Sequence, residues 1–181
     1  MTSYYYVMAQ LPALLPGVMP PLTYEQFLKQ MEGCVNKKVY AELKNLKLEP
    51  PVDGRKTGCS FLDKWFDYER SLRLALAKVR AEKLQWTLSR EEMERFQISE
   101  SLDVKRVARE AMAIDDPLKA EQFLTKARVS AIQAMSPKTG FNRDALFAYA
   151  VSLLLQTRSQ SFSVEAGRSE YKAIYDKILE K

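Results

Sequence analysis

The chain contains no histidine among its 181 residues. Histidine is the side chain that most often serves as an acid, a base or a metal ligand near neutral pH. Its absence excludes the Ser-His-Asp and Cys-His catalytic arrangements and the Glu-x-x-His metal ligands of helical bundles. The sequence also lacks a Gly-x-Ser-x-Gly elbow, a phosphate-binding loop and a dinucleotide fingerprint. We therefore expect a protein that is not an enzyme, with no catalytic residue, cofactor or metal.

Glycine is absent from Cys59 to Thr139, and proline occurs there only at Pro117 and Pro137. These two residue types bend or end helices most readily. The stretch is rich instead in Leu, Ala, Arg, Lys and Glu, which favour helix. We predict an all-α fold, a multi-helix bundle of six to eight helices with little or no sheet.

Cysteine is scarce, with only Cys34 and Cys59 in the chain. They form no Cys-x-x-Cys motif, and we expect reduced, buried thiols as in a cytosolic protein. The first charged residue is Glu25, and prolines interrupt the apolar N-terminus, which is unlike a signal peptide. No apolar run approaches the roughly 20 residues that span a bilayer. We expect a soluble, cytoplasmic protein.

The first helical signals lie in the N-terminal third. The segment from Tyr4 to Leu11 predicts either a strand or the first turns of a helix. Thr23 and Gln26 have the spacing of a capping box that begins a helix. A second short helix follows and ends before the loop at 48–58, which contains two glycines and two prolines. This loop is the candidate boundary between an N-terminal segment and hairpin, residues 1–50, and a main bundle, residues 59–181, with one continuous domain as the alternative.

Apolar side chains recur at helical spacing through the main bundle. They predict a long amphipathic helix from about residue 59 to 86, with one face made by Phe61, Trp65, Tyr68, Leu72, Leu76 and Val79. Ser89 with Glu92, and Leu88 with Met93, predict a restart or kink after that helix.

Three further helices follow. Asp116 and Pro117 predict a helix start, and its packing face is Leu124, Ala127, Ala131 and Ala134. Asn142 predicts the start of a central helix with two apolar stripes: Leu146, Ala150, Leu153 and Phe147, Val151, Leu154. A final amphipathic helix carries Tyr171, Ile174, Tyr175 and Ile178.

Carboxylates lie close together in sequence at three places, and such pairs can perform acid–base work or hold a metal. The groups are Asp63 with Asp67, then Glu91, Glu92 and Glu94, and finally Asp115 with Asp116. The glutamates are better explained as a first turn favoured by the helix dipole, and the last pair as helix-cap residues. An enzyme that uses carboxylates alone is the third, least favoured class of function.

Two groups of residues are candidates for contact with a partner. The chain has 28 Lys and Arg against 23 Asp and Glu, and the signs are well mixed except for a basic bias between residues 37 and 56. Three consecutive tyrosines cannot all face one core, so they indicate a self-packed terminus or a partner contact, and interfaces are enriched in tyrosine. The candidate contact residues are Tyr4, Tyr5, Tyr6, Lys37, Lys38, Arg55 and Lys56. The basic bias makes a nucleic-acid-binding helical module the alternative function.

The opening segment and a later run together resemble a known family. Residues Tyr4 to Leu14 resemble the start of a bacterial family of helical proteins encoded with V-type ATP synthases. Its members have been proposed as counterparts of the C-type subunit of the central stalk, which is called the d-type subunit in eukaryotes. The runs Asp116 to Glu121, Phe141 to Arg158 and Phe162 to Gly167 are similar to that family in order and spacing.

The resemblance implies a non-catalytic subunit or accessory protein of a V-type ATP synthase. The C-type stalk protein sits on the membrane rotor ring and receives the central shaft, so the implied role is to couple the two in ion transport. The implied partners are other subunits of the synthase, with no direct nucleotide binding. The implied location is cytoplasmic and peripheral to the inner membrane, through partner subunits only.

Overall fold

The computed structural model of the protein describes residues 4–15, 17–52, 54–86, 102–137, 141–162 and 164–179. Within these ranges the regular structure is entirely helical, in eight helices, which confirms the predicted all-α bundle. The helices are α1 (Tyr4–Gln10), α2 (Tyr24–Met31), α3 (Lys37–Lys44), α4 (Ser60–Leu84), α5 (Leu102–Met112), α6 (Pro117–Met135), α7 (Arg143–Gln160) and α8 (Val164–Leu179). None of the described helices is long and apolar enough to cross a bilayer.

The helices begin where their capping residues predict. The Thr23 hydroxyl accepts from the backbone N–H of Gln26 at 3.2 Å, and the Gln26 side chain accepts from the backbone N–H of Thr23 at 2.8 Å. This is a complete capping box for α2. Asp116 and Asn142 cap α6 and α7 through their side-chain oxygens. The restart predicted at Ser89 lies outside the described residues.

Helix α4 is the long helix predicted from about residue 59 to 86. It ends at Leu84 because Gln85 adopts a left-handed conformation with φ 56°, a common way to terminate a helix. Its buried side chains include most of the predicted face: Phe61, Trp65, Leu72 and Leu76. Tyr68 and Val79, at the edges of that face, are half-buried.

Helix α7 is the central helix, as its two apolar stripes predict. It contacts α1, α2, α3, α4 and α6. Its buried residues occupy most of its circumference, and they are Leu146, Phe147, Ala148, Ala150, Val151, Leu153, Leu155 and Gln156. A helix surrounded in this way fixes the positions of its neighbours through close packing.

The packing face predicted for α6 is only partly confirmed, with Leu124 buried and Ala127 and Ala131 half-buried. The buried residues of α6 are Leu124, Arg128 and Ile132, and Ala134 is exposed. The buried face is thus rotated toward a charged residue, which apolar periodicity cannot reveal. Burial of Arg128 requires a compensating charge on a neighbouring helix.

The buried apolar residues form two clusters that share α4 and α6. The larger joins α1, α2, α3 and α7 to the first half of α4, represented by Trp65, and to Ile132 of α6. The smaller joins α5 to the second half of α4, represented by Leu72, and to Leu124 of α6. Each of the two shared helices therefore crosses from one cluster to the other.

The N-terminal helices belong to the larger cluster. Val7 of α1 is buried in it, and the hydroxyl of Tyr149 on α7 donates to the carbonyl of Pro12 at 3.0 Å. The hydroxyl of Tyr24 on α2 donates to the carbonyl of Leu43 at 2.8 Å. Residues on both sides of the loop at 48–58 line one cluster, and the division of the chain at that loop stays a prediction.

A matched pair of leucine truncations tests the central position of α7. Leu153 is fully buried, whereas Leu84 at the end of α4 is 57% exposed. We expect Leu153→Ala to lower the free energy of unfolding by about 2–5 kcal/mol, because it removes apolar contacts and leaves a cavity. Leu84→Ala should change it by less than about 1 kcal/mol. Urea denaturation followed by circular dichroism measures both, and equal losses would contradict the central position of α7.

Alkaline pH should weaken the N-terminal packing. Burial raises the pKa of Tyr149 to about 12 and also raises the pKa of Tyr24. Above about pH 10 the unfolded chain therefore loses phenolic protons that the folded chain keeps. The stabilisation that results from these two raised pKa values is fully present below about pH 10. Above that pH we expect the free energy of unfolding to fall, by at most about 1.4 kcal/mol per pH unit for each tyrosine. Urea titrations from pH 8 to 12 measure this slope, and an unchanged slope in the Tyr24→Phe, Tyr149→Phe variant would contradict it.

Candidate functional site

Glu69 of α4 and Arg128 of α6 form a buried ion pair between the two apolar clusters. Nε of Arg128 donates to Oε2 of Glu69 at 2.9 Å, and Nη2 donates to Oε1 at 3.1 Å. Glu69 is 2% exposed and Arg128 is 6% exposed, so water contacts very little of either side chain. Glu69 lies about one turn from Trp65 and from Leu72, which belong to different clusters. The pair therefore connects the two clusters.

Further charges surround this pair. Arg73, one turn along α4, donates through Nε to Oε1 of Glu69 at 2.9 Å. Nη1 of Arg128 lies 3.5 Å from Oε1 of Glu121. Burial acts to lower the pKa of Arg128, but the hydrogen bonds and charge of Glu69, together with the charge of Glu121, outweigh it and raise that pKa. The guanidinium is therefore held in its charged form.

A cleft of about 720 Å³ opens above these charges, between the loop after α3 and helices α4, α6 and α7. Its volume is within the range of ligand sites in proteins. Five leucines, five cations, two carboxylates and a threonine line it: Leu46, Leu48, Leu76, Leu124, Leu154, Lys47, Arg73, Arg80, Arg128, Arg158, Glu49, Glu121 and Thr157. We call it the cationic cleft.

The cations of the cationic cleft are only partly neutralised. Nη2 of Arg158 lies 3.4 Å from Oε1 of Glu121, and Nη2 of Arg73 lies 3.9 Å from Oε1 of Glu49. Lys47 and Arg80 are exposed and form no ion pair within the described part of the chain. Among the described residues the cleft therefore has an excess of positive charge, even when Glu69 is counted.

The three N-terminal tyrosines have different surroundings. Tyr4 is half-buried against the larger cluster. The ring of Tyr5 meets that of Phe141 edge-on, with 4.6 Å between centroids, while 61% of its surface stays exposed. Tyr6 is 68% exposed. Self-packing thus describes Tyr4, whereas the exposed Tyr6 stays a candidate for contact with a partner.

The basic candidates lie on two elements. Lys37 and Lys38 are exposed in the first turn of α3. Arg55 and Lys56 are exposed in the loop before α4. None of the four lines the cationic cleft, although Lys47 of the same basic stretch does.

The carboxylate pair on α4 has structural partners. Asp63 accepts from the backbone N–H and the hydroxyl of Thr57 at 2.7 and 2.9 Å. Asp67 pairs with Arg70 at 2.7 Å. The glutamates at 91, 92 and 94 lie outside the described residues. Within the described ranges no three acidic or cysteine side chains are grouped closely enough to hold a metal.

The cysteines differ from each other. Both are free thiols, but Cys34 is exposed, so the expectation that it is buried is wrong. Cys59 is buried, and its Sγ donates to Oδ1 of Asp144 at 3.0 Å. Burial and this hydrogen bond raise the pKa of Cys59 to about 12. A thiol in that state is a poor nucleophile at neutral pH.

Helix α8 confirms the predicted final helix, but its apolar face is not covered by the body of the protein. The face consists of Tyr171, Ile174, Tyr175 and Ile178, which are 50–70% exposed. The rings of Tyr171 and Tyr175 stack on this face with 6.2 Å between centroids. Exposed apolar stripes of this kind are common at sites of protein contact.

The described helices define an all-α bundle with a buried ion pair and a cationic cleft. The chain belongs to the family described as Protein of unknown function (DUF2764), whose model matches residues 53–181. That range contains α4 to α8 and both residues of the buried ion pair. No curated protein and no solved structure matches the chain.

Sequence reasoning missed the residues of the buried pair and the cleft. One signal was present, since Glu69 follows Trp65 by four residues and precedes Leu72 by three, which places it on the buried face of α4. Arg128 similarly lies four residues from both Leu124 and Ile132. A charged residue on an apolar face requires a partner, and that rule identifies the two positions together.

The buried pair predicts an asymmetric response to mutation. Arg128→Met leaves the Glu69 carboxylate buried with only Arg73 to pair it, and we expect a loss of about 3–5 kcal/mol in the free energy of unfolding. Arg106→Met on α5 removes an exposed pair with Glu110, whose N–O distance is 3.2 Å, and should cost less than about 1 kcal/mol. Urea denaturation measures both.

A double variant separates loss of the pair from loss of packing. Combining Glu69→Leu with Arg128→Met replaces both charges by apolar groups of similar size, and such replacements are often neutral or stabilising. We expect the double variant to regain most of the stability lost in Arg128→Met. A double variant as unstable as the single one would contradict the account based on an unpaired buried charge.

Proposed function

We propose that this protein is a non-catalytic subunit or accessory protein of a V-type ATP synthase that couples the central shaft to the membrane rotor in ion transport. The observation that carries the proposal is that the two stretches resembling the synthase-associated family meet in space. The Tyr149 hydroxyl donates to the carbonyl of Pro12 at 3.0 Å, and the ring of Tyr5 contacts that of Phe141. These contacts join α1 and the segment after it to α7.

Contact between the two stretches supports treating them as one unit. Each stretch alone is a short apolar and aromatic pattern, which many helical proteins could contain. The rings of Tyr5 and Phe141 pack together although they are more than a hundred positions apart, so each restricts what can replace the other. A resemblance carried by both halves of one packing unit is a better basis for proposing a shared role than two unrelated segments would be.

The interior of the bundle suits a mechanical role. A part that transmits torque between a shaft and a ring must keep its shape under load. Close packing around α7 and the buried pair between α4 and α6 both resist relative sliding of helices, because sliding opens voids or separates the charges. These features support the proposal through stiffness and not through side-chain chemistry.

The proposed partners are the shaft and the membrane rotor ring. Tyr5, Tyr6 and the apolar face of α8 supply exposed aromatic and aliphatic surface, the kind that is buried in the centre of protein interfaces. In this proposal the protein is cytoplasmic and binds the membrane only through partner subunits. It binds no nucleotide directly.

Affinity capture from native membranes under mild extraction tests the proposal. We expect stalk and rotor subunits of the V-type enzyme to be recovered with the tagged protein and identified by mass spectrometry. Recovery of none of them would contradict it. Deletion of the gene supplies the functional readout: we expect ATP-driven ion transport in membrane vesicles to fall while ATP hydrolysis persists, since the coupling element is lost and the catalytic subunits remain.

The nucleic-acid alternative has a separate test. Lys37, Lys38, Arg55 and Lys56 are exposed, and a protein that binds phosphates through such residues loses affinity steeply as salt rises. Gel mobility assays with single-stranded and double-stranded probes at low salt measure this. Absence of binding removes the alternative.

A further inference from the structure

We propose that the cationic cleft binds an acidic, amphipathic helix of a partner protein. Leucines and cations line the cleft together, and a ligand that satisfies both must carry apolar and negatively charged groups on one face. This inference does not rest on the proposed role in a rotary enzyme, and its test uses the purified protein alone.

The leucines that line the cleft come from four parts of the fold. Leu76 of α4 and Leu124 of α6 are buried, whereas Leu46, Leu48 and Leu154 are only half-buried. Half-buried leucines at the base of a cleft gain free energy when an apolar partner covers them. A small hydrophilic anion would leave them in contact with water.

The cations that line the cleft carry the charge that would select the partner. Lys47 stands on the side of the loop after α3, Arg73 and Arg80 on α4, and Arg158 on α7. Lys47 and Arg80 have no ion-pair partner within the described residues, and the distances of Arg73 to Glu49 and Arg158 to Glu121 are long for ion pairs. Nε of Arg73 stays bonded to Glu69 at 2.9 Å, so the groups open to carboxylates of an incoming segment are Lys47, Arg80 and the Nη2 atoms of Arg73 and Arg158.

The dimensions favour a helix over a single small anion. Arg73 and Arg80 are seven residues apart on one helix, which places them about 10 Å apart along its axis. Acidic residues two turns apart on a partner helix have the same spacing, with apolar residues of the same face between them. The lining residues that the structure describes include no aromatic side chain on which a base could stack, which disfavours single-stranded nucleic acid.

The probe is a fluorescein-labelled synthetic peptide of about 15 residues with leucine and glutamate in an amphipathic helical pattern. Fluorescence anisotropy with the full chain measures its binding at low and at moderate salt. We expect saturable binding that weakens as salt rises. A scrambled peptide of the same composition should bind at least about tenfold more weakly, and a peptide with lysine in place of glutamate should not bind.

Two double variants with the same change in net charge locate the site. Lys47→Glu with Arg80→Glu puts repulsive charges in the cleft and should weaken peptide binding at least about tenfold. Lys126→Glu with Lys172→Glu alters exposed cations of α6 and α8 that do not line the cleft, and should leave binding within about twofold. Circular dichroism and thermal melting verify that each variant stays folded.

Three results would overturn the proposal. The first is equal loss of binding in the two double variants, which would show attraction to net charge alone. The second is equal affinity for the scrambled peptide, which would remove the requirement for an amphipathic helix. The third is tighter binding of a labelled single-stranded oligonucleotide with the same sensitivity to Lys47 and Arg80, which would assign the cleft to nucleic acid.

Discussion

The charged guanidinium of Arg128 can lie inside the bundle because it donates hydrogen bonds to both carboxylate oxygens of Glu69. Removing either ion from water costs several kcal/mol, and the paired geometry offsets that cost only while α4 and α6 stay in one register. Because each helix contributes to both apolar clusters, the pair also sets how the clusters are placed relative to each other. Loss of one partner of this contact is therefore expected to affect both apolar clusters.

The same contact determines what the surface above it can do. Arg128 and Glu69 neutralise each other, while Glu121 lies near both Arg128 and Arg158 at longer distances. Lys47 and Arg80 of the cleft therefore keep their charges free for a ligand, while the Glu69–Arg128 pair holds the helices in place. Helices position binding groups more accurately than loops do, and three helices, α4, α6 and α7, line the cleft together with the loop after α3. The exposed apolar face of α8 is a separate surface, and its chemistry differs from that of the cationic cleft.

Much of the fold could be predicted because local signals agree with the packing. The capping box at Thr23, the start at Pro117 and the apolar circumference of α7 each depend on residues near in sequence. The α6 face and the cleft could not be predicted in this way. They depend on a pairing between Glu69 and Arg128, which are far apart in the chain, and on the approach of the loop after α3 to α4. Periodicity treats a charged residue as a sign of exposure, whereas burial of a pair is a property of two helices together.

Mutual dependence of this kind restricts how the sequence can change over evolution. A substitution at position 69 alone leaves the buried Arg128 with only the more distant Glu121, and one at position 128 alone leaves the buried Glu69 with only Arg73. Either intermediate lies close to the margin of stability that a domain of this size possesses. A substitution at position 69 or position 128 is therefore disfavoured by itself, and replacement of the pair requires changes at both positions. The interior of this bundle is in that sense inherited as a unit.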